Sequence, residues 1–247
     1  MQALSERDRL QARIVKEIAL GFKKDAVLKG GGALRFVFGS PRQSEDLDYD
    51  VVAGLTVGKA AERMARILKG LGVDFSAPKQ TQTTQRWKIK LSPGIPFKVE
   101  FSRRKTLTPA EVRVTTVDFS PWNLHESGFV FHYPLEVLFQ QKLYALLSST
   151  RMASRDVFDL HFIAGLAART GVTLELPENT TASSVLDRIL EFPESQMRDE
   201  LLSLLPPEMR EAFDYTTLVV TLGEHLRSIE VSARAKNLSR PTRTPRL

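Results

Sequence analysis

Cysteine is absent from the 247-residue sequence, and its absence excludes several classes of protein at once. A chain without cysteine has no disulfide framework, no thiolate zinc site and no cysteine nucleophile. It also has no apolar run near the roughly 20 residues that a membrane-spanning helix requires, and its N-terminus is too charged for a secretory signal. We therefore expect a cytoplasmic protein that does not interact with a membrane.

Acidic residues are missing after Glu230, where basic residues are frequent. The net charge is +6, and the basic residues of this segment are Arg234, Lys236, Arg240, Arg243 and Arg246. Such a segment either binds an RNA backbone by releasing counterions from phosphates, or is a solvated terminus that aids solubility. The sequence leaves both interpretations open.

Hydrophobic periodicity divides the chain into a mixed α/β part and a helical part. In the first part, Leu10 to Phe22 have helical spacing, residues 26–29, 46–52, 85–91 and 97–103 are strand-like, and residues 33–38 and 59–69 are helical. Ser92-Pro93-Gly94 is a hairpin turn signal. In the second part, helices are predicted at residues 135–147, 154–168, 182–192, 196–205 and 216–229.

These elements predict an α+β fold with a mixed sheet, flanking helices and a helical C-terminal domain. The predicted domains are an α/β domain over residues 1–128, a helical domain over residues 129–232 and a basic tail over residues 233–247. Trp87, Trp122 and the aromatic run at residues 129–133 are interpreted as core rather than as base-stacking platforms.

The segment with the most chemical information runs from Leu28 to Val52. It is read as a strand, a turn of three glycines at residues 30–32, a short helix and a strand that carries Asp46 and Asp48. Glycines without a Cβ let backbone amides approach phosphate oxygens. Alternate residues of a strand share a face, so the two carboxylates point the same way and suit a divalent cation between them.

A third carboxylate is expected from a neighbouring strand, and Glu100 is the best candidate because it lies opposite the apolar positions of its strand. Magnesium prefers carboxylates combined with substrate phosphates and water. The three acids therefore predict a Mg²⁺ site, with two metals about 4 Å apart, for phosphoryl transfer. Glu100 also suits acceptance of the hydroxyl proton. Paired acids on a strand are otherwise often a solvated face, and three glycines alone are usually only a turn.

The glycines and the Asp-Leu-Asp motif, with thirteen residues between Gly32 and Asp46, resemble the nucleotidyltransferase superfamily signature. More narrowly, Lys29-Gly30-Gly31 and Arg42-Gln43-Ser44-Glu45-Asp46-Leu47-Asp48 are similar to the AbiEii/AbiGii toxin family, which includes the MenT toxins. A second match, Lys142-Leu143-Tyr144-Ala145, Arg151 and Arg155-Asp156-Val157-Phe158-Asp159-Leu160, is similar to the helical motif of that family. Gly32 departs from the small hydroxyl residue that is more usual there.

The resemblance implies roles for residues in both motifs. It favours Lys142 as a triphosphate ligand and Asp159 as the residue that orients this lysine or contacts the nucleotide, although an interhelical salt bridge explains the same spacing. Lys29, Gly30, Gly31, Arg42 and Ser44 are the other nucleotide-binding candidates. Arg42 and Lys29 are each equally compatible with an acidic partner within the protein.

The resemblance further implies a nucleotidyltransferase toxin that uses an NTP, transfers NMP to an RNA acceptor such as the 3′ end of tRNA, releases pyrophosphate and is paired with a cognate antitoxin. The alternatives are transfer to a protein hydroxyl or to a small molecule such as an aminoglycoside, and a non-catalytic nucleotide- or partner-binding protein. The sequence does not name the acceptor, the preferred base, the antitoxin or the oligomeric state.

Overall fold

A computed structural model describes residues 6–52, 54–91, 96–103, 111–148 and 154–238. The chain divides into two compact units, Met1–Pro134 and Leu135–Leu247. The predicted turn at residues 92–94, Arg151 and the tail beyond residue 238 lie outside the described residues. No helix in the part of the chain that the structure describes is long and apolar enough to cross a membrane.

The first unit is built on one seven-stranded sheet in the order β3-β4-β5-β2-β1-β7-β6. Strand β1 pairs antiparallel with β2 and parallel with β7, and β2 pairs parallel with β5. The pairs β3–β4, β4–β5 and β6–β7 are antiparallel. The strands are β1 Ala26–Lys29, β2 Leu47–Val51, β3 Lys79–Gln80, β4 Thr84–Ile89, β5 Phe97–Ser102, β6 Arg113–Asp118 and β7 Ser127–His132.

In the described part of this unit the helices are α1 Glu6–Phe22, α2 Gly30–Phe36 and α3 Val57–Gly70. Short 3-10 turns cover Lys23–Asp25 and Ser120–Trp122. The side chain of Thr56 caps α3 by accepting a hydrogen bond from the backbone of Lys59, which satisfies one of the N–H groups that a helix start leaves unpaired.

The core of this unit forms where the apolar face of the sheet packs on α1. The ring of Phe101 lies 5.1 Å from that of Phe22, 5.6 Å from that of Tyr49 and 5.0 Å from that of Trp87, between centroids. All four side chains are buried. Because side chains alternate along a strand, residues 48, 86 and 100 lie on the other face of the same strands.

The second unit is helical in its described part. Its helices are α4 Leu135–Leu147, α5 Ser154–Thr170, α6 Ala182–Leu190, α7 Glu194–Leu204, α8 Pro207–Arg210 and α9 Tyr215–Leu238. Thr181 and Ser184 form a reciprocal capping box at the start of α6. The mixed sheet followed by these helices confirms the predicted α+β fold class.

Several details differ from the predictions. The three glycines are the first turn of α2, not a turn before it, because Gly30 adopts a φ of +61° and makes the change of direction in one residue. The predicted domain boundary at residue 128 falls inside β7, whereas the first compact unit ends at Pro134. Helix α9 continues to Leu238, past the predicted start of the tail at residue 233.

The aromatic prediction was correct for some positions and wrong for one. Trp87, Trp122 and Tyr133 are buried, but the side chain of Phe129 is 61% exposed. Phe129 lies on β7 opposite Thr116 of β6, which is largely exposed. Strand β6 is at the edge of the sheet, and the residues that the structure describes leave Phe129 on this face of the β6–β7 pair largely exposed.

Candidate active site

The predicted acidic motif lies at the start of β2. Asp46 immediately precedes the strand and Asp48 is its second residue, and both side chains are partly exposed. Leu47 and Tyr49 between and after them are buried. This alternation places the carboxylates on the polar face of the sheet and the apolar side chains in the core.

Glu100 is brought beside Asp48 by strand pairing. The two residues are register partners on the parallel strands β2 and β5. Glu100 accepts hydrogen bonds from Arg86 of β4, at 2.8 Å from Nε and 2.5 Å from Nη2. The bond to Glu100 raises the pKa of Arg86, and the charges of Asp46 and Asp48 raise it further, so the guanidinium stays protonated.

Asp46 is bound by a second basic residue. Its Oδ1 accepts a hydrogen bond of 2.8 Å from the backbone N–H of Lys98, and its Oδ2 lies 3.4 Å from the Lys98 ammonium. The main-chain bond fixes the position of the carboxylate, whereas the ammonium contact is long and exposed. Arg86 and Lys98 were not among the predicted site residues.

The donors of this cluster fit magnesium in type, because carboxylates on adjacent strands are ligands that this ion prefers. Among the residues that the structure describes, however, no three His, Cys, Asp or Glu side chains are gathered as a metal-binding group. Glu100 is instead turned to Arg86, and Asp46 is held by Lys98. The three acids therefore fit the ion once these two ion pairs open.

The glycine segment lies directly against this cluster. A Cβ built on Gly30 would be 3.6 Å from Oδ2 of Asp48, so the start of α2 closely approaches the acid. A Cβ on Gly31 would be 2.7 Å from Nη2 of Arg42 and 3.1 Å from Oγ of Ser44. Gly31 therefore leaves the space that the buried Arg42 guanidinium occupies.

Side chains of α1 and α2 hold the loop between α2 and β2. Arg7 donates hydrogen bonds to the carbonyls of Ser44 and Glu45, and Gln11 donates to that of Ser44 at 3.1 Å. Arg35 donates to the carbonyls of Ser40 and Pro41, at 3.1 and 2.8 Å. Ser44 Oγ donates to the carbonyl of Asp46 at 2.8 Å, which fixes the backbone from which the first acid projects.

Lys29 pairs with an acid that the sequence analysis did not select. Its ammonium lies 2.5 Å from Oδ1 of Asp50, and Oδ2 of Asp50 accepts a hydrogen bond of 2.8 Å from the hydroxyl of Tyr133. Burial raises the pKa of Tyr133, and the charge of Asp50 raises it further. Asp50 continues the alternation of Asp46 and Asp48, which is the sequence signal that identifies it.

In the helical unit, the predicted contact between Lys142 and Asp159 is present. The ammonium lies 2.6 Å from Oδ2 of Asp159 and 2.7 Å from Oδ1 of Asp156. The Lys142 side chain is 10% exposed, and those of the two aspartates are 1% or less. The interhelical salt bridge is thus formed, with Asp156 as an additional member.

The structure therefore places the predicted residues in two groups, one in each unit. The sheet unit brings together Asp46, Asp48, Glu100, Lys29, Gly30, Gly31, Arg42 and Ser44. The helical unit brings together Lys142 and Asp159. The sequence analysis did not select several residues that contact these groups, namely Arg7, Gln11, Asp50, Arg86, Lys98, Tyr133 and Asp156.

Comparison with known proteins adds an independent observation. A family model for the nucleotidyl transferase AbiEii toxin of type IV toxin–antitoxin systems matches residues 13–229. JHP933 from Helicobacter pylori is similar in structure, with a TM-score of 0.59, 23% identity, and 96% of this chain and 99% of that chain covered. No curated protein matches the chain.

A second solved structure is MenT4, a nucleotidyltransferase toxin from Mycobacterium tuberculosis H37Rv. Its TM-score is 0.53 at 15% identity, with 90% of this chain and 82% of that chain covered. At these identities the likeness of the two structures establishes the fold, whereas the family match covers both the sheet unit and most of the helical unit.

Proposed function

Because the chain belongs to the AbiEii nucleotidyltransferase toxin family of type IV toxin–antitoxin systems, we propose that it transfers NMP from an NTP to the 3′-hydroxyl of an RNA acceptor. The observation that carries the site assignment is the pairing of Asp48 with Glu100 beside the glycine start of α2. Membership of this family implies a cognate antitoxin as a protein partner.

The residues assigned to nucleotide binding in this proposal act on phosphates and metal rather than on a base. Lys29, Arg42 and the backbone at Gly30 and Gly31 would bind the triphosphate, because an ammonium, a guanidinium and unobstructed amides all suit phosphate oxygens. Ser44 would support this segment through its bond to the carbonyl of Asp46. These contacts to phosphates are the same for all four NTPs.

Asp46, Asp48 and Glu100 would hold magnesium. Magnesium bound there would supply positive charge that offsets the negative charge developing on the triphosphate. Holding the ion requires Glu100 to leave Arg86 and Asp46 to loosen its contact with the Lys98 ammonium. Both contacts involve side chains that are partly exposed, so opening them costs little free energy.

In the proposed reaction, the oxygen of the RNA 3′-hydroxyl forms a bond to the α-phosphorus of the NTP. The bond from that phosphorus to the bridging oxygen of the β-phosphate breaks, and pyrophosphate leaves. Glu100 accepts the hydroxyl proton, a role that suits a partly exposed carboxylate at the edge of the acidic cluster. Asp46 keeps its orientation through the backbone N–H of Lys98.

Lys142 is proposed to bind the triphosphate and Asp159 to orient this lysine. The support is the ion pair of 2.6 Å between them together with the family membership. A buried lysine held between Asp156 and Asp159 has a fixed position, and a fixed ammonium stabilises charge on a leaving group without reorganisation.

The test is a transfer assay with magnesium, total RNA and each of the four α-³²P-labelled NTPs. We expect label on RNA with the wild-type protein, and a rate lower by about a hundredfold or more with Asp46→Asn, because this change removes a charged metal ligand. Asp74→Asn is the matched control, since Asp74 is an exposed aspartate in the loop after α3.

RNA that stays unlabelled with all four NTPs would contradict the RNA acceptor. Label on protein, or on an aminoglycoside supplied in its place, would assign the acceptor to one of those classes instead. Full activity of Asp46→Asn would overturn the assignment of the metal site.

A further inference from the structure

Strand register aligns the charged residues of the site in one continuous row across five strands. The successive partners are Lys79 of β3, Arg86 of β4, Glu100 of β5, Asp48 of β2 and Lys29 of β1. The two acids are in the middle of the row, with basic residues at both ends. The acids are therefore flanked by positive charge on two sides. The triphosphate of one nucleotide would occupy only one of these sides.

The side toward β1 is the nucleotide side of the proposed function, because Lys29 there precedes Gly30 and Gly31. The opposite side consists of exposed basic residues on β3, β4 and β5. We call Lys79, Arg86, Lys88 and Lys98 the basic strand face; all four are exposed. The other face of these strands carries Trp87, Val99 and Phe101, which are buried.

The arrangement of this face is unfavourable for the protein alone. Lys79 is the direct cross-strand partner of Arg86, and Lys88 is that of Lys98. Like charges directly opposite each other on antiparallel strands destabilise the pair. Arg86 and Lys98 are partly neutralised by Glu100 and Asp46, so opening these pairs for metal leaves the face more positive.

We propose that the basic strand face binds the phosphate backbone of the acceptor nucleic acid and presents its 3′ end to the acids. This inference rests on the proposed function and adds the surface on which its second substrate lies. A polyanion relieves the repulsion within both like-charged pairs and fits a row of basic residues that leads to the acids. An aminoglycoside is a polycation and is repelled by the same surface.

The test compares charge-reversal variants in binding 5′-fluorescein-labelled tRNA by fluorescence anisotropy over a range of salt concentrations. We expect Lys79→Glu combined with Lys88→Glu to weaken binding by about tenfold or more, and to reduce the slope of log affinity against log salt by about 1.4, since each phosphate contact contributes about 0.7. The KM for NTP stays at the wild-type value.

Lys69→Glu is the matched control. Lys69 is exposed in the last turn of α3, and the first residue of α3, Val57, accepts a hydrogen bond from Gln85, on the face of β4 opposite Arg86. This control changes net charge by two units, as each single substitution of the double variant does, without touching the basic strand face. A loss of log affinity in the control at least half as large as that in the double variant, or no loss in either, would overturn the inference.

Thermal unfolding supplies a second readout. Lys88→Glu replaces a like-charged pair by an opposite-charged pair with Lys98, so we expect its Tm to be at or above the wild-type value while tRNA binding weakens. Loss of binding together with a lower Tm would indicate misfolding and contradict the proposal. If the wild-type protein transfers NMP to tRNA and the variants bind tRNA as tightly as it does, only the assignment of the basic strand face is overturned. If the wild-type protein itself fails to transfer NMP to tRNA, the result counts against the proposed function.

Discussion

The acids of the sheet cluster and those of the helical cluster are bound by basic side chains that differ greatly in burial. Arg86 and Lys98 are about half exposed, whereas Lys142 is 10% exposed. Exposed ion pairs contribute little to stability and exchange partners easily. A buried pair behaves differently, because removing one member leaves an uncompensated charge.

Lys142→Met is expected to lower the free energy of unfolding by about 3–5 kcal/mol, because the buried carboxylates of Asp156 and Asp159 lose their cation. Urea denaturation followed by circular dichroism measures this change. Lys142→Arg is the control that keeps the charge. An unchanged midpoint for Lys142→Met would contradict the burial of the pair.

The same cluster allows structural and catalytic roles of Lys142 to be separated. Adding Asp156→Asn and Asp159→Asn to Lys142→Met removes all three charges, so part of the lost stability returns. If Lys142 binds the triphosphate, this folded variant remains inactive in NMP transfer. Recovery of activity along with stability would assign Lys142 a purely structural role.

At the scale of elements, the start of α2 shows how a missing side chain positions a charged one. Gly31→Ala places a Cβ 2.7 Å from Nη2 of Arg42, which is too close for two atoms that are not bonded. We expect a higher KM for NTP, since the Arg42 guanidinium must move. Steady-state transfer kinetics measure the KM, and thermal denaturation checks that the variant is folded.

Gly58→Ala is the matched control for this change, because a Cβ there meets nothing within 4 Å and α3 gains helix propensity. Its stability should equal or exceed that of the wild type. A KM for NTP that stays at the wild-type value in Gly31→Ala would remove Arg42 from the nucleotide site.

Local patterns predicted most elements, because helical and alternating periodicities are properties of short segments. Strand β1 and helix α4 begin and end at the predicted residues. Strand β6 was missed because five of its six residues are exposed and show no apolar alternation, although Val114 to Val117 are β-branched. The prediction of a glycine turn before the helix was wrong, because the positive φ of Gly30, which the sequence does not specify, determines where α2 begins.

The candidate site was predictable where the motif is contiguous. Asp46 and Asp48 are close in sequence, and Glu100 followed from the polar alternation of its strand. The partners Arg86, Lys98 and Tyr133 come from strand order and register, which depend on contacts between residues distant in the chain. Sequence spacing alone does not carry that information.

At the scale of the whole molecule, each unit contains a histidine with a lowered pKa, the buried His132 in the sheet unit and the half-buried His161 in the helical unit. His132 of β7 is satisfied on both ring nitrogens, by the carbonyl of Tyr133 and the hydroxyl of Thr115, each at 2.8 Å. Burial lowers its pKa, with a smaller contribution from Arg113. Burial also lowers the pKa of His161 of α5, with a contribution from His225.

These shifts predict lower stability in acid. As the pH falls below about 6.5, the unfolded chain takes up protons that the folded histidines resist, so the free energy of unfolding decreases. Above that pH the contribution is fully present. Chemical denaturation at pH 5 and pH 7 measures the difference, and His132→Asn with His161→Asn should reduce it. If the free energy of unfolding of the double variant depends on pH as strongly as that of the wild type, neither histidine is the cause of the pH dependence.

The row of charged partners has a consequence for how the protein is made. Its five members all precede residue 101, whereas Lys142 and Asp159 belong to the unit that begins at Leu135. Domains fold as units during synthesis, the N-terminal one first. The ribosome therefore synthesises the complete row of charged partners before Lys142 and Asp159, and the sheet unit that carries the row is the first to emerge.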